Sequence, residues 1–307
     1  METIKNNPVI CPHTLADIEA CKDITLLEVR RDYQNLNDFD ALTNPKKFCG
    51  NKTLYYYQHR VLLNCKREGT KNKPGMTFKE IYDNPDEIQK LWDETVKRNR
   101  RKKAINSSAT DMFEVYRINR GAIVFFKAST AKYIYNRFNA TSVLDPTAGW
   151  GGRLLGASSL GIRYAGFDTN INLKDGYDRM IKDLNINEDQ CMMFYQNCLD
   201  FDYSTICPYD LVLTSPPYIN MELYEGMKPF ETDHKYYTEF LIPMMIKAFA
   251  HLAVGGHMCI NISPKMFKTL MKLGYEKPDE LVDLRQQLGA EFKTKSQDYI
   301  YVWRKPY

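Results

Sequence analysis

The stretch Asp210-Leu211-Val212-Leu213-Thr214-Ser215-Pro216-Pro217-Tyr218 leads from an apolar segment directly into a hydroxyl, two prolines and an aromatic ring. The apolar part is too short for a helix and does not alternate, which is typical of a strand buried on both faces in a parallel sheet. Proline has no N–H to donate, so the strand must end by Pro216. The loop therefore leaves the sheet at the carboxyl end of a strand, where open α/β sheets bind ligands.

The two prolines make this loop a candidate receptor for a planar amine. Each proline holds the residue before it extended and supplies no donor, so we expect the carbonyls of Ser215 and Pro216 to be free to accept hydrogen bonds. The Ser215 hydroxyl is a further acceptor, and the Tyr218 ring is a flat stacking surface. Taken alone, the same residues also fit a strand that ends in an ordinary proline-rich loop.

A regular alternation of strands and helices begins at Gly121. We predict strands over 142–145, 164–168, 191–195, 210–214, 257–262 and 299–304. Among the helices, one is capped by Ser129, one over 236–252 is closed by Gly255-Gly256, and one covers 278–288. A second terminal strand, 292–295, completes a hairpin with 299–304. The alternation predicts a doubly wound, mostly parallel α/β sheet with an antiparallel pair at its end.

Residues 1–120 lack this alternation and are predicted to form a mainly helical extension. A helix is expected over about 15–31, with loop from 35 to 47. Residues 54–63 are apolar and aromatic enough for either a strand or a helix. A stronger helix runs from Pro85 to about Lys103, because Pro85 suits its first turn and an apolar stripe follows at helical spacing.

The positive charge of the chain is concentrated in one region. The net charge of the 307 residues is +4, yet residues 50–133 carry 18 Lys or Arg against 9 Asp or Glu. The predicted helix over 85–103 ends in six cations: Lys97, Arg98, Arg100, Arg101, Lys102 and Lys103. Such a run suits a solvated helix end, and it can also neutralise several phosphates. We favour the second interpretation and predict nucleic-acid contact by this run.

Composition argues against several classes of protein. Residues 1–20 contain no apolar segment of the signal-peptide type, and charges and glycines interrupt the most apolar stretch, 241–262, so no membrane span is predicted. The eight cysteines include no Cys-x-x-Cys pair and no Cys/His ligand spacing, so free thiols and no metal are expected. These features predict an intracellular, cytoplasmic protein, or a nuclear one in a eukaryote.

A glycine-bearing turn, Leu144-Asp145-Pro146-Thr147-Ala148-Gly149-Trp150-Gly151-Gly152, lies between a predicted strand and a predicted helix. Glycines let the backbone approach a ligand closely, and the start of the helix offers free N–H groups. The spacing is not that of the dinucleotide-binding fingerprint. Asp168 ends the next strand, where an acidic side chain meets ribose hydroxyls in such folds, although it would also serve as a helix cap.

Asp145–Gly151, Asp168 and Thr214–Tyr218 together resemble the S-adenosylmethionine-dependent amino-methyltransferases of DNA, which modify the exocyclic amine of cytosine or adenine. The Ser-Pro-Pro-Tyr form is most similar to the cytosine-N4 branch, because the adenine-N6 enzymes more often carry Asp or Asn in place of Ser. The resemblance covers residues 121–307 and implies a class I, Rossmann-like methyltransferase domain there. It leaves residues 1–120 and the loop 219–235 as candidates for DNA recognition, and the basic segment makes 1–120 the preferred recognition domain. Thr147 departs from the family, which often has Phe at that position.

The resemblance implies S-adenosylmethionine as the cofactor. The residues expected to bind it are Asp145, Thr147, Gly149, Gly151, Asp168, Asn197, Asp200, Lys127 and Ser129. Within this set, Asp168 would hold the ribose, and Asn197 or Asp200 would meet the adenine edge. Lys127 and the start of the following helix suit the cofactor carboxylate.

The expected catalytic residues are Ser215, Pro216, Pro217 and Tyr218. The Ser215 hydroxyl and the Pro216 carbonyl would accept the two N–H bonds of the target amine, and Tyr218 would stack on a base flipped out of double-stranded DNA. Adenine-N6 methylation of DNA and methylation of an amine in RNA or protein remain alternatives. A nucleic-acid-binding protein with a degenerate site is the non-enzyme alternative, against which the intact motifs argue.

Overall fold

A computed structural model describes residues 11–20, 22–43, 49–67, 75–101, 107–120, 123–218, 222–223, 230–284 and 299–306. The chain forms two compact units. The first comprises Met1–Asp23, His59–Ile123 and Glu222–Tyr224. The second comprises Ile24–Gln58, Val124–Met221 and Glu225–Tyr307.

The N-terminal part of the chain is mainly helical, as predicted. Its elements are α1 (Leu15–Glu19), α2 (Leu26–Asp38), α3 (Asn51–Leu63), β1 (Lys66–Arg67), α4 (Phe78–Tyr82), α5 (Pro85–Arg101) and α6 (Ala109–Arg120). Residues 54–63 are therefore helical. The single helix expected over 15–31 is two helices, because Thr14 and Thr25 each start one with a capping box. Part of the loop expected from residue 35 is also wrong, since α2 continues to Asp38.

The first unit has a small aromatic core. Leu91, Trp92 and Thr95 form the buried face of α5, as its helical periodicity predicts. Phe113 of α6 packs against the rings of Phe78 and His59, with centroid distances of 6.3 and 4.8 Å. The charged end of α5 is left at the surface of this unit.

The remaining elements alternate between strand and helix. They are α7 (Ala128–Arg137), β2 (Ser142–Asp145), α8 (Gly152–Ser158), β3 (Arg163–Phe167), α9 (Lys174–Asp183), β4 (Cys191–Phe194), β5 (Tyr209–Thr214), β6 (Glu222–Leu223), α10 (Asp233–Lys235), α11 (Ile242–His251), β7 (Leu252–Ile262), α12 (Pro264–Lys272), β8 (Glu280–Asp283) and β9 (Tyr299–Arg304). A π-helical turn, Tyr236–Leu241, joins α10 to α11. The short β6 pairs with β1 within the first unit.

Seven strands of the second unit form one sheet in the order β4-β3-β2-β5-β7-β9-β8. The pairs from β4 to β7 are parallel, and β9 is antiparallel to both β7 and β8. The chain leaves β2 toward β3 and β4, then returns to the other side of β2 with β5. This reversal is a topological switch point, which opens a crevice at the carboxyl ends of β2 and β5. The predicted Rossmann-like, doubly wound α/β fold is thus confirmed.

Gly255 and Gly256 do not close a helix, contrary to the prediction. β7 begins at Leu252, directly after α11, and continues through both glycines. The Gly255 N–H donates to the Lys305 carbonyl, and the Lys305 N–H donates to the Gly256 carbonyl. A Cβ atom on Gly256 would lie 2.6 Å from the Asp210 carbonyl oxygen, so the glycine permits a close approach of two strands.

The helix predicted over 278–288 is wrong where the structure describes it. Glu280–Asp283 is an edge strand that pairs with β9. An exposed partner strand was available, and pairing outweighed the local helical pattern. Residues 292–295, the other arm of the predicted hairpin, lie outside the described residues.

Residues 24–58 belong to the second unit, although the sequence placed them in the extension. The Asp32 carboxylate accepts from the Thr53 N–H at 3.1 Å, which joins α2 to α3. Lys132 of α7 donates to the Leu36 carbonyl at 2.6 Å. These contacts fix α2 and the first half of α3 on the α/β unit. The assignment of recognition to the extension stays a prediction.

Candidate active site

The turn after β2 is organised by the Asp145 carboxylate, which is fully buried. Its Oδ2 accepts from Arg153 Nε and from the Tyr164 hydroxyl, each at 2.6 Å. Its Oδ1 accepts from Thr214 Oγ1 at 2.9 Å and from the Thr147 N–H at 3.3 Å. One carboxylate therefore ties together β2, β3, β5 and α8. Both of its oxygens are occupied by protein donors, so its role in this structure is to position the turn.

Two glycines shape the backbone of the turn. Gly149 and Gly151 have φ angles of +60° and +95°, which side chains with a Cβ rarely adopt. The Gly149 N–H donates to Asp168 Oδ2 at 2.8 Å. The Gly149 carbonyl accepts from the Tyr177 hydroxyl at 2.8 Å. The turn is thus fastened to the end of β3 and to α9.

Asp168 lies just after β3, where it is partly exposed. Besides the Gly149 N–H, its carboxylate accepts the Asn170 N–H at 2.8 Å. Burial raises the pKa of the Asp168 carboxyl to about 6, although these two N–H donors act in the opposite direction. A ligand that donated further hydrogen bonds to Asp168 would stabilise its ionised form.

Two polar groups at this edge are buried without a hydrogen-bond partner among the described residues. They are Asn170 Nδ2 and the Tyr195 hydroxyl. Asn170 is the neighbour that donates its N–H to Asp168, and the Tyr195 ring packs edge-on against Tyr177 at 6.4 Å. An unpaired buried polar group costs about 1–3 kcal/mol. Both groups therefore favour a polar ligand at the ends of β3 and β4.

The Ser-Pro-Pro-Tyr loop begins beside the glycine turn. Thr147 Oγ1 lies 2.6 Å from Thr214 Oγ1, at the last residue of β5. Ser215 is half-buried, and its hydroxyl donates to Asn261 Oδ1 at 3.1 Å. Within the described ranges, neither the Ser215 carbonyl nor the Pro216 carbonyl accepts a hydrogen bond. Among the described residues, both carbonyls are therefore unoccupied acceptors, as expected from the sequence.

The second half of the loop is held by a tyrosine. The Pro217 carbonyl accepts from the Tyr236 hydroxyl at 2.8 Å. Tyr236 is fully buried and begins the π-helical turn, a distortion that is frequent at functional sites. Tyr218 is half-buried and packs against the same core. The loop is therefore a fixed element rather than a free connection.

The other predicted cofactor residues lie at the same edge of the sheet or just before β2. Asn197 and Asp200 are exposed after β4, and the Asn197 side chain accepts the Leu199 N–H at 3.0 Å. Lys127 is the N-cap residue of α7, and burial lowers its pKa. Ser129 is not the cap that was predicted. The helix starts at residue 128, so Ser129 lies inside its first turn and is buried.

The basic run ends α5 in the first unit. Lys97, Arg98 and Arg101 line a cavity of about 320 Å³, together with Glu94, Val115, Ile118 and Asn119. Lys97, Arg100 and Arg101 are exposed and form no ion pair with any residue that the structure describes. Arg98 is half-buried and interacts electrostatically with Asp111. Lys102 and Lys103 lie outside the described residues.

Sequence reasoning missed three residues that hold the site in place. Arg153 compensates the charge of Asp145, Tyr236 donates a hydrogen bond to the Pro217 carbonyl, and Asn261 accepts a hydrogen bond from the Ser215 hydroxyl. No spacing pattern marks them. The one signal for Asn261 was its position near the end of a predicted strand, since polar side chains at strand ends can meet the residue that follows a neighbouring strand.

Two further observations concern the described parts of the chain. No helix there has the length and apolar character needed to cross a bilayer. No group of three or more His, Cys, Asp or Glu side chains there could hold a metal ion.

No protein-family model and no curated protein matches this chain. Among solved structures, it is similar to an rRNA methylase from Streptococcus thermophilus at 13% identity, with 61% of this chain and 100% of that chain covered and a TM-score of 0.41. It is also similar to TrmN from Thermus thermophilus, at 13% identity, 65% and 54% coverage and a TM-score of 0.44. An RNA methyltransferase from Salinibacter ruber in complex with S-adenosyl-L-homocysteine matches at 18% identity, 60% and 94% coverage and a TM-score of 0.39. The strand order, and not these likenesses, establishes the doubly wound, Rossmann-like α/β fold of the second unit.

The Asp145–Arg153 pair gives a prediction about stability. Asp145→Asn removes the charge that compensates the buried Arg153, so we expect the free energy of unfolding to fall by about 3–5 kcal/mol. Urea unfolding followed by circular dichroism measures this loss. Asp178→Asn, which breaks the exposed pair with Lys174 on α9, is the matched control and should cost less than about 1 kcal/mol. If both variants lost the same small amount of unfolding free energy, Asp145 would not be the charge that compensates the buried Arg153.

Proposed function

We propose that this chain transfers a methyl group from S-adenosylmethionine to the exocyclic amino group of a base in DNA, and that the base is cytosine, methylated at N4. One observation carries the proposal. The amine-accepting loop and the glycine turn meet at the switch point of the sheet, where the Thr147 and Thr214 hydroxyls are 2.6 Å apart. A donor pocket and an acceptor loop in contact are what a group transfer needs.

The residues at the turn fit S-adenosylmethionine. The Asp168 carboxylate can accept from the two ribose hydroxyls, and Asn170 Nδ2 and the Tyr195 hydroxyl are buried polar groups without a partner in the described chain. The positive φ angles of Gly149 and Gly151 give the turn a backbone conformation that residues with a Cβ rarely adopt. When bound, this cofactor supplies a methyl group on a positively charged sulfur. Lys127, at the start of α7, suits its carboxylate.

The acceptor side works by position and electrostatics. The lone pair of an exocyclic amine is delocalised into the ring, which makes the nitrogen a poor nucleophile. Hydrogen bonds from its two N–H groups to Ser215 Oγ and to the Pro216 carbonyl draw it toward a tetrahedral geometry and localise the lone pair. Ser215 is too weak a base to remove a proton first. The new N–C bond would therefore form as the S–C bond breaks, leaving the neutral thioether S-adenosylhomocysteine, and the cationic nitrogen would then lose its proton to water. Tyr218 stacks on the base, which must leave the duplex at a cost of a few kcal/mol.

Ser215 supports cytosine as the base. The resemblance to the cytosine-N4 branch rests on this serine, and adenine-N6 methylation of DNA is the nearest alternative. Double-stranded DNA is the proposed partner, bound through Lys97, Arg98, Arg100 and Arg101, with Lys102 and Lys103 as further candidates. Three of these cations are exposed and without an ion pair within the described ranges, which leaves them available for phosphates.

Nucleoside mass spectrometry of DNA incubated with the protein and S-adenosylmethionine tests the reaction. We expect N4-methylcytosine from the wild type and a turnover lower by about 100-fold from Ser215→Ala, with cofactor binding near normal, because one acceptor of the amine is removed. Ser204→Ala, which removes an exposed hydroxyl outside the site, is the control. If the product were N6-methyladenine, the target base would be adenine and not cytosine. If only RNA or a protein glutamine were methylated, the proposal that DNA is the substrate would be wrong.

Cofactor binding should depend on pH through Asp168. Its pKa of about 6 means that the carboxyl is protonated below that pH in the free protein, whereas ribose donors favour the ionised form. Binding therefore releases a proton at low pH, and the affinity should rise about tenfold between pH 5 and pH 7 and then level off. Calorimetric titration with S-adenosylmethionine or S-adenosylhomocysteine measures this. Asp168→Asn should bind the cofactor more weakly and with little pH dependence. If its affinity rose with pH as steeply as that of the wild type, a group other than Asp168 would be responsible for the titration.

The basic run should set the salt dependence of DNA binding. Replacing Arg98, Arg100 and Arg101 by Gln is expected to weaken binding and to make the slope of log K against log salt shallower by about one for each phosphate that is no longer neutralised. Fluorescence anisotropy with a labelled duplex at several salt concentrations measures the slope. Lys90→Gln, on the same helix but paired with Glu87, should leave it unchanged. An unchanged slope in the triple variant would make the run a solvated helix end.

A further inference from the structure

Asn261 is a buried amide in direct contact with the proposed catalytic serine. It lies near the end of β7 and is 7% exposed. β7 pairs in parallel with β5, and Ile260 is opposite Thr214 in that register. Ser215 and Asn261 are therefore the next residues along two neighbouring strands. The Ser215 hydroxyl donates to Asn261 Oδ1 at 3.1 Å.

The orientation of the Asn261 amide is fixed from the other side. Its Nδ2 donates to the Tyr299 carbonyl at 3.1 Å, at the first residue of β9. A carbonyl oxygen accepts and cannot donate, so the nitrogen of the amide must face Tyr299. The amide oxygen is then left facing Ser215. Three adjacent strands thus fix which amide atom the serine meets.

This arrangement determines how the serine presents itself to a substrate. A hydroxyl has one proton and two lone pairs. With the proton committed to Asn261 Oδ1, both lone pairs of Ser215 Oγ face away from Asn261. A hydroxyl that was free to rotate could instead turn its proton toward the N–H groups of an incoming amine. That juxtaposition of donors is repulsive and would turn the amine away.

We propose that Asn261 is a positioning residue that holds the Ser215 hydroxyl as a pure hydrogen-bond acceptor for the target amine. The inference rests on the proposed function and deepens it. Asn261 does not touch the substrate and acts only through Ser215. Because the amide is neutral, it takes no proton during the reaction. It orients the hydroxyl before the reaction, as a preorganised acceptor requires.

The test compares steady-state methylation of DNA by the wild type with that by Asn261→Ala, Ser215→Ala and the double variant. Asn261→Ala should lower kcat by about 10- to 100-fold with little change in the affinity for S-adenosylmethionine, because misorientation at a reacting centre has effects of this size. In the Ser215→Ala background the same substitution should have no further effect on kcat. Independent losses that multiply in the double variant would overturn the proposal.

Asn261→Asp supplies a readout that a merely structural role would not affect. In this variant an ionised carboxylate accepts the Ser215 proton as the amide does, whereas a protonated carboxyl can donate instead. We expect partial rescue relative to Asn261→Ala at high pH, and a kcat that falls as the pH is lowered through the pKa of the new carboxyl. The wild type should lack this pH dependence. A pH profile for Asn261→Asp that matched the wild type would contradict the orienting role.

Cys259→Ala controls for damage to the strand. Cys259 is fully buried on β7, two residues before Asn261, so the two side chains point to the same face of the sheet. This variant should lose stability without losing turnover. If wild-type protein binds S-adenosylmethionine but methylates no DNA, the proposed function fails. If the wild type is active and Asn261→Ala has the same kcat, only the role of Asn261 fails.

Discussion

The site depends on one buried carboxylate. Asp145 is inaccessible to water, and its charge is compensated by Arg153, which is 3% exposed. Such a pair is tolerated in a protein interior only when the remaining oxygen lone pairs are also satisfied. The Tyr164 and Thr214 hydroxyls do this, from the strands on either side of β2. The requirement to satisfy one charge therefore brings the glycine turn and the end of β5 into a fixed relation.

The requirement that buried polar groups have hydrogen-bond partners also distinguishes the groups around the crevice that are occupied from those that can still accept a hydrogen bond. The Pro217 carbonyl is occupied by Tyr236, so the loop cannot swing away from the core. The Ser215 and Pro216 carbonyls accept no hydrogen bond in the described part of the chain. At the other end of the crevice, burial raises the pKa of Asp168, whose carboxylate accepts only the Gly149 and Asn170 N–H groups among the described residues. The polar groups that hold the frame thus have their hydrogen-bond partners within the protein, whereas the Ser215 and Pro216 carbonyls keep unused acceptor capacity.

Sequence reasoning succeeded where the signal is local, and it failed where pairing with a distant segment decides. Pro216 ends a strand because of its own chemistry, and the run before it is a strand as predicted. Gly255 and Gly256 carry the same local signal as a helix C-cap, yet the approach of β7 to Asp210 makes them strand residues. Residues 280–283 became a strand because β9 offered an edge. The expected place of Asp145 beside the cofactor stays a prediction, and what the sequence did not reveal is that four protein donors bind its carboxylate.

By itself, the sequence determined six of the seven strands of the large sheet, its doubly wound character, and the positions of the glycine turn and the Ser-Pro-Pro-Tyr loop after their strands. Each of these follows from residues that are close together in the chain, where periodicity and backbone restriction act. Only the tertiary structure decided that residues 24–58 pack with the α/β unit, and that the Ser215 hydroxyl donates its hydrogen bond to Asn261, 46 positions further along. The reason is physical: the hydrogen-bond partner of a buried polar group is set by which strands are neighbours, and sequence separation does not record that.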